Sequence, residues 1–243
     1  MKLLFSGIAA SLLIVLLILT FFVPPAPRAI ALGNPCAADP NNLTTNGSMA
    51  GPGYSAPPYG IVASSWTPFL LSADLPVFEW VNYNSNGDVA NTGSQYIWSD
   101  YQPYGAGPFD AGIYQTITGL TAGKYYRFWI GFAQAAYDLD GSGNQRTNTI
   151  GRQAGVDRMG GSSPTSPNVE WGEVYWDGIA ALNIPALSLT FAPQNNSATI
   201  FLRVVNQNNI GRSKVWFDAV CMELLNPQPP TPGIVFLPFV KRE

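Results

Sequence analysis

The stretch Ala111–Ala135, AGIYQTITGLTAGKYYRFWIGFAQA, decides the fold. It reads as a β-hairpin: a strand over Gly112–Ile117, a turn carrying Gly119 and Gly123, then a longer strand over Lys124–Gln134. In the second strand Tyr126, Phe128, Ile130 and Phe132 share one face, and Tyr125, Arg127 and Trp129 share the other. A period of two marks a strand with one face in a core and one turned out. Whether the outward face is only solvated or holds a ligand stays open, with Arg127 and Trp129 as its candidates.

Working outward, strand-like runs recur at Tyr59–Ser64, Pro76–Tyr83, Ser94–Trp98, Thr149–Arg158, Asn168–Trp176, Ala186–Phe191, Ser197–Asn206 and Ser213–Leu225. With the two strands above, that makes about ten, with few helical patterns between them and no internal repeat. Glycine (24), proline (21) and 13% aromatic residues supply the turns and the pleated-surface side chains. The expected fold is all-β, a two-sheet jelly-roll β-sandwich in one domain. In Ser197–Asn206, Ile200, Leu202 and Val204 point inward, and Phe201 and Arg203 outward. The last strand breaks its alternation at Asp218, whose carboxylate needs an arginine, backbone amides or a metal ion as partner.

The N-terminus reads as a targeting segment. Lys2 precedes an apolar run from Leu3 to Val23, then Pro24-Pro25 and the A-x-A cleavage pattern Ala29-Ile30-Ala31. The run is also long enough to stay in a membrane as an uncleaved anchor helix. Either way the expectation is export, to a cell surface or the extracellular space. Loss of residues 1–31 removes Lys2 and Arg28 and takes the formal charge from −3 to −5, unsuited to nucleic acid. The reading places a signal peptide or anchor over 1–31 and an entry segment with a first strand over 32–58. The rest of the sandwich follows over 59–225, then a Pro-rich linker over 226–233 and an apolar-then-basic tail over 234–243. That tail is either a loose end or edge strand, or an attachment signal.

Only two cysteines occur, Cys36 near the mature start and Cys221 in the last strand. In an oxidising compartment they are expected to pair, a cross-link contributing about 4–5 kcal/mol on the chain-entropy model. The alternative is two free thiols.

Several segments resemble carbohydrate-binding-module domains of the galactose-binding-like jelly-roll group. GIYQTITGLTAGKYYRFWIGF resembles the group's central hairpin, NLTTNGSMAG its first strand and VWFDAVCMEL its last. GVDRMGGSSPTSPNVEW (Gly155–Trp171), Ser65-Trp66-Thr67-Pro68 and the terminal FLPFVKRE are similar to segments of exported bacterial relatives. The resemblance spans about Asn42 to Leu225 and implies the jelly-roll fold. It also implies a structural calcium near the first and last strands. Asp218 matches there, whereas Met49 and Ala50 replace the group's Phe and Glu.

A second calcium candidate is DLDGSGN, where Asp138, Asp140, Ser142 and Gly143 match the first half of a calcium loop. Position 12 is Thr149 in place of a bidentate glutamate, and a plain Asp/Gly-rich turn is the favoured reading of the segment.

Catalysis finds little purchase. The chain has no histidine, which removes the usual nucleophile–base pairs, and no G-x-S-x-G or phosphate-cradling loop. Glu170 and Glu173 are three apart, so on one strand they face opposite ways. The expectation is a protein that is not an enzyme.

Binding fits the residues better. Sugars stack on flat aromatic rings while polar side chains bond their hydroxyls. QYIWSDYQPYG, read as a loop at one end of the sandwich, carries Trp98, Tyr101 and Tyr104 with Asp100 and Gln102, and is the leading candidate. NVEWGEVYW adds Trp171, Tyr175 and Trp176. Taken singly, each of these rings is more often core or edge cover than a binding platform. The expected function is exported, non-catalytic binding of a polysaccharide or cell-surface glycan. Membrane association would come only through an uncleaved leader. The alternative is a surface structural or adhesion protein whose rings meet other proteins.

Overall fold

The computed structural model describes residues 39–82, 93–100, 108–137, 150–176, 180–182, 187–207 and 212–229. In chain order the strands begin with β1 (Gly53–Ala56), β2 (Gly60–Ala63), β3 (Thr67–Leu70), β4 (Val77–Val81) and β5 (Ser94–Asp100). Next come β6 (Phe109–Thr118), β7 (Tyr126–Tyr137), β8 (Ile150–Asp157) and β9 (Val169–Trp171). The last are β10 (Ala180–Leu182), β11 (Ser188–Phe191), β12 (Ser197–Asn206) and β13 (Arg212–Leu224).

They form two sheets. One runs β3-β6-β12-β8-β9; the other runs β1-β2-β4-β5-β13-β7, with β10 and β11 both pairing β7. All pairings are antiparallel except a short parallel bridge between β2 and β4. The all-β, two-sheet sandwich is therefore as expected. Its core lies between the sheets and is built from the inward alternates of each strand, with Trp66, Phe78, Phe109, Phe128 and Phe217 the bulkiest apolar members.

The hairpin expectation for Ala111–Ala135 is corrected. β6 pairs with β3 and β12, whereas β7 pairs with β13, β10 and β11, so the two strands lie in different sheets. The seven residues 119–125 between them carry the chain from one layer to the other. Leu120 is buried on that crossing and donates its amide to Asn196 O at 3.0 Å, while Thr121 donates to the Tyr126 hydroxyl at 2.9 Å. A two-residue turn would have favoured a hairpin; this longer link with a core side chain favours the crossing.

Facing follows the sequence up to one point. Tyr126, Phe128 and Ile130 are buried and Arg127 is exposed, but further along β7 the inward residues are Ala133 and Ala135. The side chain of Phe132, expected to face inward, lies outside the described residues. β13 switches at the same level, from Val215 and Phe217 to Val220 and Met222, and the two strands keep one register throughout. The cause is local: Ala219 adopts φ 55°, and the place of a side chain on Gly131 is taken by Ala219 O, 2.5 Å away. A left-handed residue bends the strand and rotates everything beyond it.

The segment NLTTNGSMAG is not a ladder strand. Asn42–Ser48 is a series of turns sewn to β13: Leu43 N donates to Met222 O at 2.7 Å, Met222 N to Asn42 Oδ1 at 3.0 Å and Val220 N to Gly47 O at 2.8 Å. Buried Gln115 completes the attachment. Its amide oxygen accepts from Thr45 N at 2.7 Å and its nitrogen donates to Thr45 O at 2.7 Å.

Candidate functional site

The outer face of the five-stranded sheet gathers rings over places where the sheet has no side chain. On β8 the outward residues are Gly151, Gln153, Gly155 and Asp157, and on β6 they include Asp110, Gly112 and Tyr114, because Arg152, Ala154, Val156, Ala111 and Ile113 face the core. A Cβ on Gly155 would sit 2.5 Å from Trp171 Cε3, and one on Gly112 would sit 2.5 Å from Phe69 Cζ. A Cβ on Gly151 would lie 2.2 Å from Val174 Cγ1 and 3.2 Å from Trp176 Cζ3. The rings lie down onto the sheet only because these positions are glycine.

Phe201 forms the middle of this layer. The ring centroids of Tyr114 and Trp171 are each 5.6 Å from that of Phe201, and Phe69 packs edge-on at 5.9 Å. Phe201 is fully buried although it points away from the core, while Tyr114 and Trp171 stay half-buried. Along the sheet the register Thr67–Tyr114–Phe201–Gly155–Trp171 crosses all five strands.

A polar system flanks the rings. Arg203 Nε donates to Asp110 Oδ1 at 2.7 Å, its Nη2 donates to Asp110 Oδ2, and its Nη1 donates to Gln153 Oε1 at 2.8 Å. Gln153 Nε2 donates onward to Gly172 O at 2.7 Å, just after Trp171. The guanidinium carbon lies 5.0 Å from the Trp171 ring centre, a cation–π contact. The Arg203 and Asp110 side chains are 21% and 22% exposed, so this pair is sheltered but reachable. At the rim, burial chiefly, and secondarily the neighbouring Tyr114, raise the Tyr54 phenol above its usual pKa. Its hydroxyl donates to Trp66 O at 2.9 Å.

The predicted site residues scatter. Trp171 and Trp176 belong to this face, but Tyr175 turns inward, bridges Arg152 across the backbone and carries that buried guanidinium 4.9 Å from its ring. Trp98, which ends the strand-like run Ser94–Trp98 and was also read into the loop QYIWSDYQPYG, stands within β5 on the outer face of the other sheet, where its Nε1 donates to Glu79 Oε2 at 3.2 Å. Loop and strand both present such rings, and the alternation of buried Ile97 with half-buried Tyr96 and Trp98 decides for the strand. Asp100 closes β5 opposite Arg212, its side chain outside the described residues, as are Tyr101, Gln102 and Tyr104 altogether. Arg127 stacks 4.1 Å over Trp129 and pairs with Glu223 at 2.8 Å, a mutual arrangement at the far end of that sheet. Glu170 is paired with Arg158 at 2.6 Å.

Asp138, Asp140, Ser142 and Cys36 also lie outside the described residues. Asp218 is fully buried at the switch, and its Oδ1 accepts from Ala219 N at 2.6 Å, a backbone-amide partner of the kind its burial required. Among the described residues no three acidic, cysteine or histidine side chains gather.

Tyr114, Arg203, Asp110, Gln153 and Phe69 were not singled out from sequence. The usable signal is the outward series of β8, small at Gly151 and Gly155 with Gln153 between, which needs cover from elsewhere.

No family model matches the chain, and no curated protein matches it. Solved structures that it is similar to include the enzymatically active domain of bacteriophage CBA120 tailspike protein 4, at 18% identity and TM-score 0.42. That match covers 76% of this chain and 22% of the tailspike chain. TmCBM61 in complex with β-1,4-galactotriose matches at 13% identity and TM-score 0.40, covering 76% of this chain and 99% of that one. The K1 cleaved adhesin domain of Lys-gingipain from Porphyromonas gingivalis W83 matches at 13% identity and TM-score 0.45, with 73% and 96% covered. Carbohydrate-binding modules recur among the similar structures.

Proposed function

We propose that the chain binds a polysaccharide or cell-surface glycan on the outer face of the five-stranded sheet, without breaking bonds in it. The observation that carries this reading is Trp171, laid over Gly155 and held beside Phe201 and Arg203 while remaining half-exposed. A rigid ring of this kind stacks on the apolar face of a sugar at low cost in side-chain entropy. Arg203, Asp110 and Gln153 beside it supply both donors and acceptors for hydroxyl groups, with charges nearly balanced, which suits a neutral polymer.

Titration of intrinsic tryptophan fluorescence with a panel of soluble polysaccharides tests this. A response is expected for at least one polymer, and Trp171→Ala should weaken it by at least about tenfold, the loss of 1.4 kcal/mol or more. A flat response to every polymer, together with binding to a protein surface, would favour the adhesion reading.

The exported location, the Cys36–Cys221 bridge and a structural calcium belong to the same proposal. Cys221 is 1% exposed, and no cysteine among the described residues is free. Protein recovered from outside the cell should start near Leu32 if the leader is cleaved, and its cysteines should resist alkylation until reduced. EDTA should lower its melting midpoint if the Asp138 loop or Asp218 holds calcium; an unmoved midpoint discards both sites.

A further inference from the structure

We propose a second polysaccharide-binding face on the outer side of the eight-stranded sheet, centred on Trp98, so that one molecule ties two polymer chains together. This rests on the reading of the first face given above.

Two cross-strand rows build the face. Val77, Trp98 and Lys214 stand side by side on β4, β5 and β13, and Glu79, Tyr96 and Trp216 form the next row. All six are turned away from the core, whose members on these strands are Phe78, Ile97, Val215 and Phe217. Tyr96 packs edge-to-face against Trp216 at 4.7 Å, and Glu79 fixes the Trp98 indole through its N–H. The three rings are half-buried, so neighbours hold them while part of each surface is open, and Val77 beside them is 43% exposed.

Two features argue for a bound polymer over simple sheet cover. Among the described residues the Trp216 indole N–H is buried without an acceptor, a defect that a leucine or valine would not carry. One carboxylate and one ammonium stand among the rings, Glu79 and Lys214, so the face is neutral yet offers an acceptor and donors beside stacking surface. That is the same chemistry as the Trp171 face. The two faces belong to opposite sheets of one sandwich, so two ligands engaged together lie on opposite sides of the core.

The test uses the full chain with xylan, β-1,4-galactan and laminarin, each set in native gels for retardation and kept in solution for turbidity. The unaltered protein should be retarded in at least one gel and should cloud that polymer's solution. Trp98→Ala and Val77→Arg, both folded by their melting curves, should remove the turbidity yet keep retardation within about threefold, because single-site binding survives loss of bivalency. Val77→Arg leaves all three rings in place at an exposed position, so it reports even if Trp98→Ala proves unstable. Turbidity unchanged in both variants overturns the second face and leaves the first. Retardation that survives Trp171→Ala but not Trp98→Ala overturns the first face and keeps the second. Self-association of the free protein that vanishes in Val77→Arg overturns the proposal and gives this face to a second copy of the chain. Absence of retardation in every gel overturns both readings.

Discussion

Gly112→Ala is expected to lower the stability of the sandwich by about 3 kcal/mol, the upper end of overpacking costs. The added methyl carbon would fall 2.0 Å from Leu202 O, a backbone atom of the neighbouring strand, and 2.5 Å from the Phe69 ring. The ring can lift, but the carbonyl belongs to the β6–β12 pairing and can move only with the sheet. Gly119→Ala is the control. Gly119 sits in the inter-sheet crossing at φ 80° with nothing within 4 Å of a new Cβ, so only backbone strain of about 1 kcal/mol applies. Urea denaturation of both variants reads the difference. Equal midpoints would mean that the close approach at Gly112 is not the reason for its glycine.

Arg203→Ala is expected to cost about 2–3 kcal/mol of stability and at least about tenfold in polysaccharide affinity together. The substitution leaves the sheltered Asp110 carboxylate without its two-pronged partner and Gln153 Oε1 without its donor, and it takes the cation from beside Trp171. Because Arg203 and Asp110 sit near one-fifth exposure, water recovers part of the loss, which keeps the figure below that of a fully buried pair. Arg203→Lys should not restore either property, since an ammonium cannot bridge both carboxylate oxygens while also reaching Gln153. Melting curves and fluorescence titration of the three proteins decide. A lysine variant indistinguishable from the unaltered protein would show that charge alone suffices.

Much of the architecture is legible in the sequence because it is a matter of facing. Ile200, Leu202 and Val204 alternate cleanly with Phe201 and Arg203, and β12 faces as they indicate. Facing does not name partners, however. The residues of β6 and β7 suit adjacent strands of one sheet as well as strands in opposed sheets, and only the long link with its buried Leu120 separates the two. The parity switch at Ala219 left no mark, since alanine carries no propensity for a positive φ.

The site was half legible for a related reason. Trp171 stands out in any reading as a large ring in polar company. Arg203, Asp110 and Tyr114 read as ordinary outward residues on three strands far apart in sequence, and only the β6-β12-β8-β9 order brings them under one ring layer. Trp98 stands out as a functional candidate from composition, but only the strand order puts it on the sheet opposite Trp171.

β13, the last strand among the described residues, lies between β5 and β7 and bonds to both. A chain made from its N-terminus therefore holds two incomplete halves of that sheet, each with an open edge, until Arg212–Leu224 has been synthesised. Pairing β13 with β5 joins residues more than a hundred positions apart, the kind of long-range contact whose loop-closure entropy has to be met before it stabilises anything. Until then both halves keep that edge, and a truncation before Arg212 removes the middle of the sheet, not its margin.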